Sequence, residues 1–472
     1  MSPIIPGGAG AAGSGSGSGA AGSGSGATPA EAVYEQLLER VGEANPRPRI
    51  EPVRRLAELA GSPQLSYPVI QVAGTNGKTS TSRAIESLMR AHGLRTGLFT
   101  SPHLVDFTER FQIDGAPIAG SALAEAWEEL SAPLAVVDAE LEAAGQGPIT
   151  FFEALAVLAF TAFADAPVEV AVVEVGMGGE WDATNIADAQ VAVFTPIDLD
   201  HTAILGPDIE TIARTKAGIV KDGSTVVSAE QDPAALAELE AAAAEHGSRI
   251  VVQGRDFRLA EDRLAVGGRQ IDVVGITGAG YDPAFVPLFG RHQAENVALA
   301  MAAVEAFFGA ERPIPEEVLD EGLGQLTSPG RLQLIGSDPI VYVDAAHNPH
   351  GAAALTRAVT ESFSFDELAL VVGVLAEKDA EGLLAELAPI AHRVILTPVD
   401  SPRTLDPEAL LEVAERAIPD TPIELAGSLP EALDEARAWA GRSEGRAVLV
   451  VGSVVLAGEA IAFARAEGWG TA

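Results

Sequence analysis

The chain contains a series of short, continuously apolar runs, each followed by a segment with the spacing of an amphipathic helix. The clearest runs are Val69–Ala73, 168–175 and 191–195, and they are rich in β-branched residues. Runs without polar alternation are typical of parallel strands that are covered on both faces of a sheet. The alternation of strands with helices, such as the one expected over 82–92, therefore predicts an α/β protein.

Residues 249–278 break this pattern, because short apolar and polar pieces alternate there around Gly267 and Gly268. Alternation of this kind around a Gly-Gly turn is typical of antiparallel hairpins. We expect the segment to form a small β-layer attached to the first α/β unit.

A second α/β series begins near Arg331, with strands expected at 340–344, 368–374, 393–398 and 447–452. Turn residues at 326–330 separate the two series. We predict three parts: a disordered Gly/Ser/Ala-rich tail over 1–29, a central domain over 30–327 with a parallel-sheet core, and a Rossmann-like C-terminal domain over 328–472. A cleft between two α/β domains is a common position for a small-molecule site.

Composition narrows the possible partners. The net charge of −37 argues against a nucleic-acid partner or an acidic membrane surface. An anionic ligand would bind only where basic groups and helix N-termini are concentrated. The chain has no cysteine, which excludes disulfides and thiolate metal sites. The remaining oxygen and imidazole ligands favour Mg²⁺.

The sequence has no uninterrupted stretch of about eighteen apolar residues, and it therefore predicts no membrane span. The N-terminal tail lacks the charged and apolar regions of a signal peptide. We therefore expect a cytoplasmic protein that does not enter a membrane.

The most specific motif is the loop that follows the first strand, within the sequence YPVIQVAGTNGKTSTSR of residues 67–83. Gly74 and Gly77 allow backbone N–H groups to curl around phosphate oxygens, and Lys78 brings a positive charge to them. A hydroxyl of the same loop can reach Mg²⁺. The order of these features is a strand, a glycine loop, Lys-Thr and then a helix. This order predicts a compact P-loop that binds a nucleotide triphosphate.

Polar residues also follow other strands. Glu174 lies at the carboxyl end of the run 168–175, where P-loop proteins often carry a magnesium ligand; the alternative is a capping or ion-paired carboxylate. His201 follows the next strand in the sequence TPIDLDH. A single histidine is commonly structural, but its place at the same sheet edge favours a functional role. By pattern alone, Lys216 and Lys221 are ordinary surface lysines.

In the second domain, Asp344 ends a strand and His347 lies in the turn that follows it. This spacing can direct a carboxylate and an imidazole into the cleft, while Asn348 and the proline after it are also suited to capping a helix. Arg331 could bind phosphate with two N–H groups or simply tie the two domains together. The pattern leaves both alternatives open.

Taken together, these motifs resemble the Mur ligase superfamily, and within it the folylpolyglutamate synthase/dihydrofolate synthase branch. The matching segments are VAGTNGKTS, FTSPHLVDFTERFQIDG, TFFEA, EVGMGGEWDATN, TPIDLDHTAILG, KAGIVK, GRHQAENVALA, SPGR, DAAHNPHG and EKD. They occur in the family order over residues 33–465. The resemblance implies a P-loop-containing Mur-ligase-like central domain followed by a Rossmann-like domain.

The resemblance also implies roles for individual residues. The ATP-binding positions are Thr75, Asn76, Gly77, Lys78, Thr79, Ser80, Asn296, Arg331 and Asp344. The Mg²⁺ ligands are Ser101, Glu174 and His201. The catalytic residues are Lys78, His347 and Lys216, of which Lys216 matches a lysine that is carbamylated in the family. The pterin or folate contacts are Pro102, Thr150, Phe152, Glu153 and Asp182.

Three positions depart from the branch. Thr79 stands where it usually has glycine, which adds a hydroxyl near the metal. Glu180 replaces a common arginine, and an acidic group near phosphates would be unfavourable unless it points away. Ala345 replaces a glycine, which is tolerated if the position does not need a positive φ.

The implied reaction is ATP-dependent formation of a C–N bond, in which L-glutamate is added to dihydropteroate or to a reduced folate through an acyl phosphate. The resemblance favours a monomer. Two alternatives are a peptidoglycan Mur ligase, which carries a UDP-sugar-binding domain before the P-loop, and a P-loop regulatory protein without ligase activity. The short segment before Lys78 argues against the first. The set of metal-site and second-domain residues argues against the second.

Overall fold

The structure is a computed structural model, and it describes residues 27–42 and 47–470. The predicted disordered tail therefore lies almost wholly outside the described residues. Within the described part of the chain, no helix is long and apolar enough to cross a membrane.

Fifteen α-helices and seventeen strands occur in the described residues. The helices are α1 Pro29–Leu38, α2 Glu51–Leu59, α3 Lys78–Ala91, α4 Gly120–Ala143, α5 Phe151–Asp165, α6 Thr202–Leu205, α7 Ile209–Ala217, α8 Pro233–Glu245, α9 Arg291–Phe307, α10 Glu316–Gly324, α11 Pro349–Ser362, α12 Ala380–Leu387, α13 Pro407–Ala417, α14 Leu429–Ala440 and α15 Val454–Ala466. The strands are β1 Val69–Ala73, β2 Thr96–Phe99, β3 Phe111–Ile113, β4 Ala116–Pro117, β5 Val170–Glu174, β6 Val191–Phe194, β7 Thr225–Ser228, β8 Arg249–Val252, β9 Arg258–Ala265, β10 Gly268–Val274, β11 Gly280–Val286, β12 Gln333–Ser337, β13 Ile340–Val343, β14 Glu367–Val372, β15 Arg393–Leu396, β16 Ile423–Leu425 and β17 Arg446–Val451.

The first sheet has the strand order β4-β3-β2-β5-β1-β6-β7-β8. Strand β1 lies between β5 and β6 and is parallel to both. Successive side chains of a strand point to opposite faces. Accordingly, Val69 packs with α4 and α5 on one face, while Ile70 and Val72 pack with α3 and α9 on the other. The predicted parallel core, covered on both faces, is confirmed.

The prediction that residues 249–278 form antiparallel hairpins was wrong for the first residues of this segment. Strand β8 is parallel to β7 and is the last strand of the first sheet. The antiparallel layer consists of β9, β10 and β11, and it therefore extends to Val286. The cause is burial, because Val251 and Val252 form a short continuous apolar run, whereas alternation with a buried face begins only later, at Ile271 and Val273.

The second sheet has the order β12-β13-β17-β14-β15-β16. All of its pairings are parallel except β12 with β13. The four expected strands are present, and the sequence interpretation missed the two edge strands, β12 and β16. Both are short or partly exposed, so they lack a continuous apolar run.

Contacts between the two α/β units converge on the P-loop. The Asn76 and Asn348 side chains are within hydrogen-bond distance, and Asn76 Nδ2 lies 2.8 Å from His350 Nδ1. The hydroxyls of Ser80 and Ser328 are 2.9 Å apart. The carboxyl ends of β1, β5 and β6 therefore face the second unit across a cleft. The domain limit at 327/328 falls between α10 and β12 and stays a prediction.

Candidate active site

The P-loop joins β1 to α3 through two glycines with left-handed or extended positive φ. Gly74 has φ +145°, and a Cβ there would lie 1.9 Å from the hydroxyl oxygen of Thr195, the residue after β6. Gly77 has φ +87° and precedes the first residue of α3; a Cβ there would lie 2.6 Å from Asn296 Oδ1. The loop thus needs glycine for its conformation and for the close approach of its neighbours.

Lys78 is the first residue of α3, and its ammonium group folds back over the loop. Its Nζ donates to the carbonyl oxygens of Gly74 and Thr75, at 3.2 and 3.1 Å. Burial lowers the pKa of Lys78, although the nearby charge of Glu174 opposes that shift. A positive group held at the mouth of the loop can receive a phosphate oxygen.

Glu174, the last residue of β5, is buried next to the P-loop. The Thr79 hydroxyl lies 3.0 Å from both carboxylate oxygens, and the Ser101 amide donates to one of them at 3.3 Å. Burial raises the pKa of Glu174, and the charge of Lys78 acts against it. The Glu174 carboxylate and the Thr79 hydroxyl therefore bring together oxygen atoms suited to a hard cation.

Lys216, near the end of α7, is a buried residue rather than the surface lysine that the pattern suggested. Its Nζ donates to the carbonyl oxygen of Gly74 at 2.8 Å, so it lies directly behind the P-loop. Burial, with a smaller contribution from the charge of Lys78, lowers the pKa of Lys216 to about 7. This lysine is therefore a neutral amine for a large part of the time near neutral pH.

His201 follows β6 and precedes α6 with a left-handed backbone, φ +50°. Burial, together with the charge of Lys378, lowers the pKa of His201 to about 4, so the ring is neutral near pH 7. Burial, together with the charge of Lys378, also lowers the pKa of His347 to about 4. The Nδ1 atom of His347 lies 3.0 Å from the Ala345 carbonyl oxygen. A neutral imidazole is the form that binds a metal ion.

Asp344 at the end of β13 shapes the turn that carries His347. Its carboxylate accepts the amides of Leu332 and Ala346, each at 2.8 Å. Burial raises the pKa of Asp344, and the charge of Arg331 opposes this. Asn348 caps α11 as the sequence suggested, because its side chain accepts from the Gly351 amide at 2.8 Å.

Two cavities of about 1090 and 1100 Å³, including the solvent at their mouths, lie on either side of the P-loop. Asn76, Gly77, Arg331 and His347 line both of them. The first also contains the predicted residues Thr75, Lys78, Thr79, Ser101, Pro102, Glu174, His201 and Lys216. The second contains Ser80, Asn296 and Asp344. Every predicted ATP-site, metal-site and catalytic residue thus lines at least one of these two neighbouring cavities.

Four of the five predicted pterin contacts lie away from these cavity walls. Thr150 and Glu153 form the capping box of α5, and Glu153 also pairs with Arg49 at 2.7 Å. The ring of Phe152 packs against Gly176. Asp182 accepts the amides of Met177 and Thr184, both at 2.9 Å. Only Pro102 lines the first cavity, so direct substrate contact by the other four stays a prediction.

Several cavity residues were missed by the sequence interpretation. Arg83 and Glu109 line the first cavity, as does Asp200, which pairs with Lys378 of the second unit. Arg83 lies one α3 turn after Thr79, a spacing that places both on the same side of the helix. This helical spacing could have predicted that Arg83 lies beside the P-loop. The contact between Asp200 and Lys378 could not be predicted in this way, because it depends on the tertiary fold.

The departures from the family pattern have simple explanations. Glu180 is exposed and lines neither cavity, so its charge is directed away from the P-loop. Ala345 is buried and is not among the residues with positive φ. Its backbone therefore places no demand for glycine on that position.

The donor set at the P-loop fits Mg²⁺, because it consists of a buried carboxylate with hydroxyl and imidazole groups near it. In the described residues there is no cluster of three or more His, Asp or Glu side chains that could hold a metal by themselves. Mg²⁺ commonly takes part of its ligands from the phosphates of a bound nucleotide.

Comparisons with known proteins decide the family. The Mur ligase middle domain matches residues 119–304, and the Mur ligase glutamate ligase domain matches residues 330–454. The chain is 43% identical to the dihydrofolate synthase/folylpolyglutamate synthase of Mycobacterium tuberculosis, over 88% of this chain and 90% of that protein. The chain belongs to the folylpolyglutamate synthase/dihydrofolate synthase family of Mur ligases. It is therefore an ATP-dependent ligase.

Solved structures of family members have the same fold. The M. tuberculosis folylpolyglutamate synthase complexed with ADP and AMPPCP superposes with a TM-score of 0.87 at 39% identity, over 94% of this chain and 99% of that chain. The E. coli FolC in complex with DHPP and ADP has a TM-score of 0.79 at 30% identity, again over 94% and 99%. The expected Mur-ligase-like and Rossmann-like architecture is thereby confirmed.

Proposed function

We propose that this ligase adds L-glutamate to dihydropteroate, to a reduced folate that already carries glutamate, or to both, and that ADP and phosphate are the other products. The observation that carries the proposal is the meeting of Lys78, Glu174, His201 and Lys216 beside one P-loop, in a cavity that the second unit closes. Family membership identifies the reaction type, and the relatives of this chain include both dihydrofolate and folylpolyglutamate synthases.

ATP is proposed to span the two cavities. The P-loop amides and the N-terminus of α3 bind its phosphates. The second cavity, with Asn296, Arg331 and Asp344 on its walls, receives the nucleoside. The γ-phosphate then faces the first cavity, where Lys78 and Glu174 lie.

In the first step, a carboxylate oxygen of the pterin substrate attacks the γ-phosphorus, and the bond to the bridging oxygen of ADP breaks. Lys78 neutralises charge on the transferring phosphoryl group. Ser101, Glu174 and His201 would hold Mg²⁺, with the Thr79 hydroxyl oriented by Glu174. When bound, the ion supplies electrostatic stabilisation of the phosphate oxygens.

Carbamylation of Lys216 is part of the proposal. The reaction needs a neutral amine to attack CO₂, and burial together with Lys78 lowers the pKa of Lys216 to about 7. The amine nitrogen bonds to the carbon of CO₂ and releases one proton to solvent, which leaves a carboxylate-like carbamate that the positive charge of Lys78 would stabilise. Such a group behind the P-loop would support the metal site.

In the second step, the amine of L-glutamate attacks the acyl carbon, phosphate leaves, and the nitrogen loses a proton to give the amide. Water would hydrolyse the acyl phosphate, so closure of the two units protects the intermediate. The contacts from Asn76 to Asn348 and His350 hold the closed arrangement.

The test is phosphate release from ATP, measured with and without L-glutamate and with dihydropteroate or tetrahydrofolate supplied separately. We expect amide product only when ATP, L-glutamate and one pterin substrate are all present, and mass spectrometry of the products shows which pterin is used. ATP turnover that proceeds equally well without glutamate and without the pterin would overturn the proposal.

We also propose, as secondary points, a division of domains at 327/328, a monomer, and a cytoplasmic site of action.

A further inference from the structure

A buried ion pair joins the two units at the edge of the first cavity. Lys378 lies in the loop between β14 and α12, and its Nζ is 2.9 Å from Asp200 Oδ1, in the loop after β6. The two side chains are only 11% and 15% exposed. The pair therefore forms only where the two units are in contact.

Asp200 has a second partner on the side of the first unit. The same oxygen, Oδ1, accepts the backbone amide of His201 at 2.9 Å, and Oδ2 lies 3.7 Å from His201 Nε2. His201 has φ +50°, a conformation that an L-residue adopts at some cost and that its surroundings must maintain. The Asp200 carboxylate thus connects Lys378 of one unit to the backbone of His201 in the other.

We propose that Lys378 is a positioning residue: its ammonium group, delivered by the second unit, holds Asp200 so that His201 has its metal-site conformation only in the closed enzyme. The inference rests on the proposed function, since it assigns a purpose to closure of that site. It explains how formation of the acyl phosphate is restricted to the state in which water is excluded.

The neighbouring ion pair shows that position, rather than charge, is what distinguishes Lys378. Glu377, one residue earlier, pairs with Arg403 at 2.7 Å, but both side chains belong to the second unit and are 40% and 44% exposed. Pairs of this exposed kind contribute little to stability. A buried pair has a large desolvation cost that offsets its attraction, so its value here lies in specifying the closed arrangement.

The experiment compares Lys378→Met, Lys378→Arg, Asp200→Asn and the double variant, with Arg403→Met as the matched control. For Lys378→Met we expect kcat to fall about 10- to 100-fold, as for other residues that support a metal ligand. The KM for ATP should change by no more than about twofold, because ATP contacts are retained. Phosphate released per amide formed should stay near one, because the variant slows the first step itself, and Lys378→Arg should restore part of the loss.

A second readout does not depend on the loaded enzyme. In the protein without nucleotide or metal, hydrogen exchange of the backbone amides at 198–206 should be about tenfold faster in Lys378→Met than in wild type, because the His201 amide loses its fixed acceptor. Arg403→Met should leave both the exchange and the kinetics unchanged.

A double-mutant cycle decides whether the two residues act as one unit. We expect the double variant to be no worse than the worse single variant. Additive losses or unchanged exchange at 198–206 would each overturn the inference. If wild-type enzyme released phosphate without glutamate and pterin, the proposed function would be wrong, and the exchange measurement alone would still decide the role of Lys378.

Discussion

Lys216 lies where burial and a neighbouring ammonium group act in the same direction on its pKa, which falls to about 7. Lys221, five residues later, is half-buried, donates to the Asn185 carbonyl oxygen at 3.1 Å and lines neither cavity. The two lysines are equivalent in the sequence pattern. Only the position of Lys216 behind the P-loop makes it a candidate for chemistry.

Lys216→Ala should lower kcat by at least about 100-fold, the size of effect seen when a preorganised charge-stabilising group is removed. Acetate or formate should restore part of the activity, because a small carboxylate can occupy the space of the carbamate. Steady-state kinetics with and without the added acid provide the measurement. Lys221→Ala is the matched control, and equal activity of the two variants would contradict the role of Lys216.

The lowered pKa predicts a pH dependence of activation by CO₂. Free lysine is charged throughout the range from pH 6 to pH 8, but a group with a pKa of about 7 is mostly neutral at pH 8 and mostly charged at pH 6. At a fixed concentration of dissolved CO₂, reactivation of CO₂-depleted enzyme should therefore slow by about tenfold from pH 8 to pH 6. A rate that does not vary with pH would contradict this assignment.

Thr79 predicts a measurable effect on magnesium. Its hydroxyl lies 3.0 Å from both oxygens of Glu174, so Thr79→Val keeps the side-chain shape and removes the only polar atom. We expect the Mg²⁺ concentration for half-maximal activity to rise about tenfold, within the range for residues that orient a metal ligand. Thr79→Ser keeps the hydroxyl and should behave like wild type. Equal Mg²⁺ requirements of the two variants would show that the hydroxyl has no such role.

At the scale of elements, the glycine-rich segment after β5 explains how Lys216 reaches the P-loop. A Cβ at Gly179 would lie 2.5 and 2.6 Å from the carbonyl oxygens of Lys216 and Thr215, and one at Gly218 would lie 2.5 Å from the Glu180 backbone. The segment therefore packs directly on the end of α7. Neither glycine is among the residues with positive φ, so close approach is the reason for glycine at both positions.

Gly179→Ala should push the end of α7 away from the P-loop and lower kcat by about tenfold or more. Backbone atoms cannot yield as a flexible side chain can, so we also expect a loss of about 1–3 kcal/mol in the free energy of unfolding. Gly324→Ala is the control, since a Cβ at that position in α10 meets nothing within 4 Å. Kinetics and denaturant unfolding of both variants give the comparison, and matching behaviour would contradict the packing argument.

At the scale of the whole molecule, a nucleotide that spans both cavities has contacts with both units at once. Asn76, Gly77, Arg331 and His347 line both cavities, and two of these residues belong to each side of the cleft. Nucleotide binding should therefore stabilise the two units together. ATP-site residues on separate units also explain why neither unit alone forms the site.

Mg-ADP at about 100 times its Kd should raise the free energy of unfolding by about 2.7 kcal/mol. We expect both units to shift together in calorimetry, and Lys78→Ala to weaken the shift because its P-loop lacks the ammonium group. A shift confined to one of two separate transitions would show that the nucleotide contacts only one unit.

Much of the fold followed from local patterns. The strand Val69–Ala73 and the parallel series around it were predicted because continuous β-branched runs reflect burial on both faces, a property that is present in the sequence itself. The edge strands β12 and β16 were missed because they lack such runs. The start of the antiparallel layer was misplaced because four residues, those of β8, are too few to separate parallel from antiparallel pairing by pattern.

By itself, the sequence determined the P-loop, the two α/β series and the family, because each depends on residue types at fixed spacings along the chain. Only the tertiary structure decided that Lys216 is a buried amine, that Glu153 pairs with Arg49, and that Lys378 meets Asp200. These properties depend on partners that are distant in sequence. Burial and charge act on a side chain through its neighbours in space, and the folded chain alone brings those neighbours together.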